Sequence, residues 1–169
     1  MSDVLSKELA APSFDGGDIP AKDVQLVMQA ALQALQKGNS VHLYITDGRE
    51  LLERLADARS EGAGCLRTAS LAVVLAADRL YDGAWVENSS RVAWAMCRQA
   101  ADLGMSYRQI QIRGYQLSDG TMSDEVVKGV LGISEEQTVC IVVALGYSGK
   151  DSVAASGDEL DWERIHIIE

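Results

Sequence analysis

Two kinds of apolar pattern take turns along the chain, and their order predicts a layered α+β domain. Val24, Val27, Met28, Ala31 and Leu35 recur at helical spacing, one stripe of a helix that starts near Pro20 and stops at Gly38. "VHLYIT", at 41–46, is rich in β-branched and aromatic residues and reads as a short strand. Asp47 is then placed to cap a helix through "GRELLERLADAR". After the small-residue segment "GAGCLRTA", the run "SLAVVLAA" is apolar at nearly every position, as in a strand covered on both faces in the middle of a sheet.

The next helix runs from about Asn88 to Leu103 and ends at Gly104. Val92, Trp94, Ala95, Met96, Cys97, Ala100, Ala101 and Leu103 fall on several of its sides, while Arg91, Arg98 and Asp102 share one narrow stripe. A helix apolar nearly all round is expected to be buried nearly all round. One sheet in a small domain cannot cover both flanks, so a second subunit is the economical cover. In "SYRQIQIRGY", Tyr107, Gln109, Gln111 and Arg113 alternate with Arg108, Ile110 and Ile112, the pattern of a half-buried strand. A short helix from Ser123 to Leu131 and a second two-sided strand, "TVCIVVALGY", follow. The tail is polar until Trp162, Ile165, Ile167 and Ile168, too few apolar residues for a core and better suited to an arm that packs elsewhere. The expectation is one domain over 1–169, with a flexible end at 1–13 and a C-terminal arm at 151–169.

Composition narrows the function. The chain has 169 residues, 47% of them apolar, which suits a globular domain. A net charge of −10 opposes binding to nucleic acid or to an anionic membrane. No apolar run approaches the roughly 20 residues of a membrane span, and "MSDVLSKELAAPSF" lacks the apolar core of a signal peptide, so a cytoplasmic protein is expected. Cys65, Cys97 and Cys140 lie far apart and mostly among apolar neighbours, as buried thiols do. With two histidines and no Cys-x-x-Cys pair, no zinc-ligand spacing is present.

The motifs that suggest chemistry at first sight do not hold. "ALGYSGKDS" puts Ala144 where a P-loop needs its first glycine, and Asp151 follows Lys150. A nucleophile elbow fails in the same stretch, because Ser148 is followed directly by Gly149 and Lys150. His42 and His166 are separated by most of the chain, and neither forms a recognisable dyad with a cysteine or serine. Glu50, Glu53 and Asp57 with Arg49, Arg54 and Arg59 read as a solvated, charged helix face.

In collinear order, "WVENSS" from Trp85, "AADLGM" from Ala100, "QIQIR" from Gln109 to Arg113, "LGIS", "ALGYSGKD" and "LDWERIHI" resemble the nitroreductase family, FMN-dependent homodimeric oxidoreductases, and its short members in particular. The resemblance covers roughly Phe14 to the C-terminus. It implies a nitroreductase-like three-layer α+β fold, with a central mixed sheet flanked by helices and a domain-exchanged C-terminal arm. It also implies a homodimer with FMN at the interface, reduced by NAD(P)H and reoxidised by a nitroaromatic or quinone-like acceptor. The cofactor carries such a reaction, so no protein nucleophile is expected. Carried over residue by residue, the resemblance puts Asn39 and Gln111 at the isoalloxazine edge, Ile110, Gln111, Ile112 and Arg113 along the ring, and Lys150 facing the phosphate. One departure is large: where members carry an arginine-rich start that holds the phosphate, this chain has Glu8, Leu9, Ala10, Ala11 and Pro12. Each lost charged hydrogen bond costs about 1.5 to 3 kcal/mol of affinity. The alternative is therefore a flavin-free homodimer of the same fold, acting as a binding or regulatory protein.

Overall fold

The computed structural model describes residues 13–35, 37, 39–78, 80, 83–148 and 161–168. Among the described residues, four α-helices and four strands follow in the order α1 (Ala21–Ala34), β1 (Val41–Thr46), α2 (Arg49–Ala56), β2 (Leu71–Ala77), α3 (Trp85–Asp102), β3 (Ser106–Gln111), α4 (Ser123–Leu131) and β4 (Thr138–Gly146). The strands form one sheet in the order β1-β2-β4-β3. The two runs that are apolar at every position, β2 and β4, take the centre, and the alternating ones take the edges. All three pairings are antiparallel. Among the described residues this corrects the expected mixed sheet, because each strand returns beside a neighbour running the other way.

Period-two alternation along β2 sorts its side chains between two cores. Ala72, Val74 and Ala76 meet Leu52, Leu55 and Ala56 of α2 and Val127 of α4 on one face. Leu71, Val73, Leu75 and Ala77 meet Val27 and Ala31 of α1 and Val92, Ala93, Met96 and Cys97 of α3 on the other. Helices therefore cover both faces, and the three-layer α+β arrangement holds. At roughly 25 cal/mol per Å² of apolar surface, these two cores are the main stabilising term.

Some element ends differ from the sequence reading, α1 among them, which ends at Ala34, short of Gly38. Asp47 does not cap α2: Gly48 holds the N-cap position and its N–H donates to Thr46 Oγ1 at 3.2 Å. Helix α3 begins at Trp85 rather than Asn88, since "WVEN" winds into its first turn. Within a single chain α3 is covered along one broad side. Its inner stripe (Asn88, Ser89, Val92, Ala93, Met96, Cys97, Ala100) faces the sheet, while Trp94 is 45% exposed among charged residues on the outer side. The narrow polar stripe seen in the sequence is wide enough to include that tryptophan.

Candidate functional site

Two of the polar candidates, Gln111 and Arg113, stand at the end of β3, and a bulge in β4 explains how they are held. On the β2 side, Leu75 pairs with Ile141 and Ala76 with Val139, so Cys140 is the extra residue of the β4 strand. Its carbonyl accepts two N–H groups of the departing chain, from Ile112 at 3.0 Å and Arg113 at 3.3 Å. Tyr115 N–H then bonds to Ile112 O at 3.3 Å, closing a turn in which Gly114 sits at φ 80°. That positive φ suits a glycine and strains other residues.

This turn directs side chains apart. Ile110 and Ile112 are each 1% exposed in the α2/α4 core. Gln111 and Arg113 are exposed. Of the four consecutive candidates, then, only Gln111 and Arg113 can offer side chains to a ligand, while the isoleucines can contribute backbone alone. The guanidinium of Arg113 lies 5.9 Å from the ring centroid of Trp85, in the first turn of α3. Beneath it, Ser89 Oγ donates to Trp85 O at 2.7 Å. Burial pushes the Cys140 thiol above its ordinary range, against the opposing effects of a Ser89 hydrogen bond and the Arg113 charge. That thiol stays neutral and structural.

Arg59, read from the sequence as part of a solvated face, holds the outer side of the same turn. Its Nη1 donates to Gln111 O at 3.1 Å and its guanidinium lies 3.6 Å over the ring of Tyr115. Arg49 likewise donates to Arg67 O at 2.6 Å and to Ala69 O at 3.1 Å. No local spacing could have shown either role, because the acceptors lie 52 and 18 to 20 residues away.

Asn39 sits elsewhere. Its Oδ1 accepts the N–H of Val41 at 3.0 Å at the start of β1. Val41 pairs with Ala77 and Ala77 with Thr138, so Asn39 and Arg113 share one end of the sheet. They stand at opposite edges, about 14 Å apart across three strand spacings. Lys150 and the stretch from Glu8 to Pro12 lie outside the described residues. Depressions of about 400 Å³ beside Leu43, Ile45 and Val130, and of about 250 Å³ beside Arg59 and Arg108, flank the two sheet edges. Neither is lined by Gln111 or Arg113.

The donor set fits the ring portion of a flavin: an exposed carboxamide that both donates and accepts, a guanidinium, an indole and the backbone of an edge strand. Compared by sequence, the chain matches no family model and no curated protein. Compared by structure, it is similar to an FMN-dependent nitroreductase from Clostridium difficile R20291, with a TM-score of 0.88, 24% identity and coverage of 100% of this chain and 99% of the other. A nitroreductase family protein from Clostridium difficile 630 aligns with a TM-score of 0.73, 16% identity and coverage of 99% and 94%. The NADPH:FMN oxidoreductase from Vibrio harveyi complexed with NAD+ aligns with a TM-score of 0.67, 17% identity and coverage of 90% and 72%. On these alignments, and on its three-layer architecture, the chain has the nitroreductase fold.

Proposed function

We propose that the chain works as a homodimeric FMN-dependent oxidoreductase that takes electrons from NAD(P)H and passes them to a nitroaromatic or quinone-like acceptor. The observation that carries this reading is the end of β3, where the Cys140 bulge presents Gln111 and Arg113 beside Trp85 on a fold shared with FMN-using proteins. When bound, FMN would supply hydride chemistry. The chain supplies the rest: the Gln111 carboxamide and Asn39 for the polar edge of the ring, the 110–113 backbone along it, Arg113 for negative charge, and Lys150 toward the phosphate.

Two features support a dimer. On α3, Trp94 is 45% exposed on the outer side of the helix, an apolar group that a second copy would cover. In the tail, Trp162, Ile165, Ile167 and Ile168 are 62%, 62%, 85% and 88% exposed, apolar surface of the kind an exchanged arm would bury against a second copy. No described helix is long and apolar enough to cross a membrane.

A visible spectrum of protein purified with added FMN, followed by fluorescence titration of the apoprotein, tests the flavin. The reading predicts a flavin band and saturable quenching. A colourless protein with no saturable quenching sinks it in favour of the flavin-free scaffold, which the uncharged and acidic stretch Glu8 to Pro12 favours.

A further inference from the structure

Among the described residues β3 ends the sheet, so one row of its backbone groups has no neighbouring strand. The register fixes which row that is. Ile112 N–H donates to Cys140 O, and Gln111 pairs with Ile141 one step back, so the N–H and C=O of Gln111 itself point away from β4. Across that open edge the Gln111 carbonyl accepts Arg59 Nη1 at 3.1 Å. The peptide joining Gln111 to Ile112 is therefore held at both ends, its C=O by a guanidinium from the layer of α2 and its N–H by the bulge in β4.

We infer that Arg59 is a positioning residue of the candidate site, setting where Gln111 and Arg113 stand from the far side of the sheet. The inference rests on the flavin reading of that turn and adds to it a residue from another layer. Arg59 follows α2 and Trp85 opens α3, and these helices cover opposite faces. The guanidinium of Arg59 reaches both ends of the turn at once. Besides its bond to Gln111 O, it lies 3.6 Å over the ring of Tyr115, whose N–H closes the turn on Ile112 O. Tyr115 O accepts the N–H of Ser123, which ties the same residue to the start of α4. Arg113 stands between these fixed points, so its place beside Trp85 follows from how firmly they are held.

The two contacts together ask for arginine. A lysine could donate to the carbonyl but has no plane to lay on the ring, and a neutral side chain would bond the carbonyl more weakly. The neighbouring arginines do other things. Arg54 is exposed on α2, and Arg67 pairs with Asp57, whereas Arg59 is half-buried and spends its guanidinium on main chain and ring. Arg59 also lines the depression of about 250 Å³ that it shares with Arg108, so shortening its side chain enlarges an open hollow rather than a core cavity.

Trp85 reports the test, in the full chain with Trp94 and Trp162 replaced by phenylalanine so that one indole emits. Without flavin present, Arg59→Ala shifts the Trp85 emission and makes it more accessible to acrylamide. With FMN added, the same variant raises the dissociation constant about threefold to tenfold, through the loss of a charged hydrogen bond behind the site. Arg59→Lys falls between alanine and parent in both readouts. Tyr115→Phe keeps the ring and matches the parent, Tyr115→Ala moves both readouts as Arg59→Ala does, and the double alanine variant adds less than the sum. Arg54→Ala removes the same charge from an exposed place and changes neither. If Arg59→Ala fails to fold, Arg59→Lys and Tyr115→Ala carry the same two readouts. A Trp85 signal indifferent to these substitutions overturns the inference, as does a loss of FMN affinity that Arg54→Ala reproduces. A parent protein that binds no FMN overturns the flavin reading instead, and the Trp85 emission then decides on Arg59 by itself.

Discussion

A Cβ added to Gly146 would stand 2.9 Å from Cδ1 of Phe14, 3.0 Å from its Cγ and 3.1 Å from its Cβ. The ring cannot retreat freely: Phe14 N–H donates to Thr68 Oγ1 at 2.9 Å, and the next residue, Asp15, donates to Tyr147 O at 2.8 Å. Gly146→Ala is therefore expected to destabilise the fold by about 1 to 3 kcal/mol, an overpacking cost measurable by urea denaturation. Phe14→Ala added to it should recover part of the clash, so the two changes combine less than additively. At the β3 exit the same scale of reasoning separates core from site. Ile112→Ala removes a side chain 1% exposed and should cost about 2 to 5 kcal/mol of stability. Arg113→Ala, by contrast, should leave the urea midpoint nearly unchanged, shift Trp85 fluorescence and weaken FMN binding about tenfold, the loss of one charged contact. Arg113→Lys keeps the charge but loses the planar stack, so its Trp85 signal should track the alanine variant more than the parent.

Between elements, Lys128 ties α4 to the turn that leads into β4. Its Nζ lies 3.2 Å from Asp124 Oδ2 and 2.9 Å from Glu135 Oε2, with the lysine side chain 7% exposed. Asp124 Oδ1 in turn accepts the N–H of Val139, fixing the first residues of β4 on the helix. Lys128→Met should cost about 1 to 3 kcal/mol, chiefly because Asp124 is left partly buried without its cation, while Glu135→Gln, at an exposed partner, should cost under about 1 kcal/mol. Chemical denaturation of both variants checks the contrast. How much of this level can be read from the sequence depends on how far the causes reach. The central strands are legible because two-sided burial demands unbroken apolar runs, and α4 because its cues are local, down to Gly132 at φ 68° behind its last turn. The bulge at Cys140 depends on pairing with β2, and Arg59 acts on a carbonyl in another layer, so neither leaves a local mark. On α3 the stripe of Arg91 and Arg98 is legible, but only the packed sheet shows that Trp94 belongs to it rather than to the core.

For the whole molecule, ending the chain at Leu160 should leave the domain folded, since the side chains of 161–168 are exposed, yet it should shift sedimentation toward monomer if the tail is an exchanged arm. Response to pH also belongs to this scale, because three groups, one in the short helical turn Gly64–Arg67, one in β4 and one in α4, point the same way. Burial pushes the Cys65 thiol above its ordinary 9.0, against the nearby Arg108 charge, and burial likewise raises Cys140. For Lys128 burial alone would lower the value, but the hydrogen bonds and charges of Glu135 and Asp124 outweigh it and the net shift is upward from 10.5. In each case the folded state holds its proton to a higher pH than the unfolded chain does. Wherever the folded state binds more protons, stability falls as pH rises. The stabilising contribution is therefore complete below the unfolded pKa and is lost through the folded one, starting near pH 9 with the thiols and continuing above 10.5 with the lysine. Urea midpoints measured from about pH 7 to about pH 11 should be flat at first and then decline, the order that these groups set. Replacing Cys65 and Cys140 by alanine should flatten the first part of that decline, and Lys128→Met the later part. A midpoint that rises above pH 9 in the unaltered protein contradicts the direction of all three shifts.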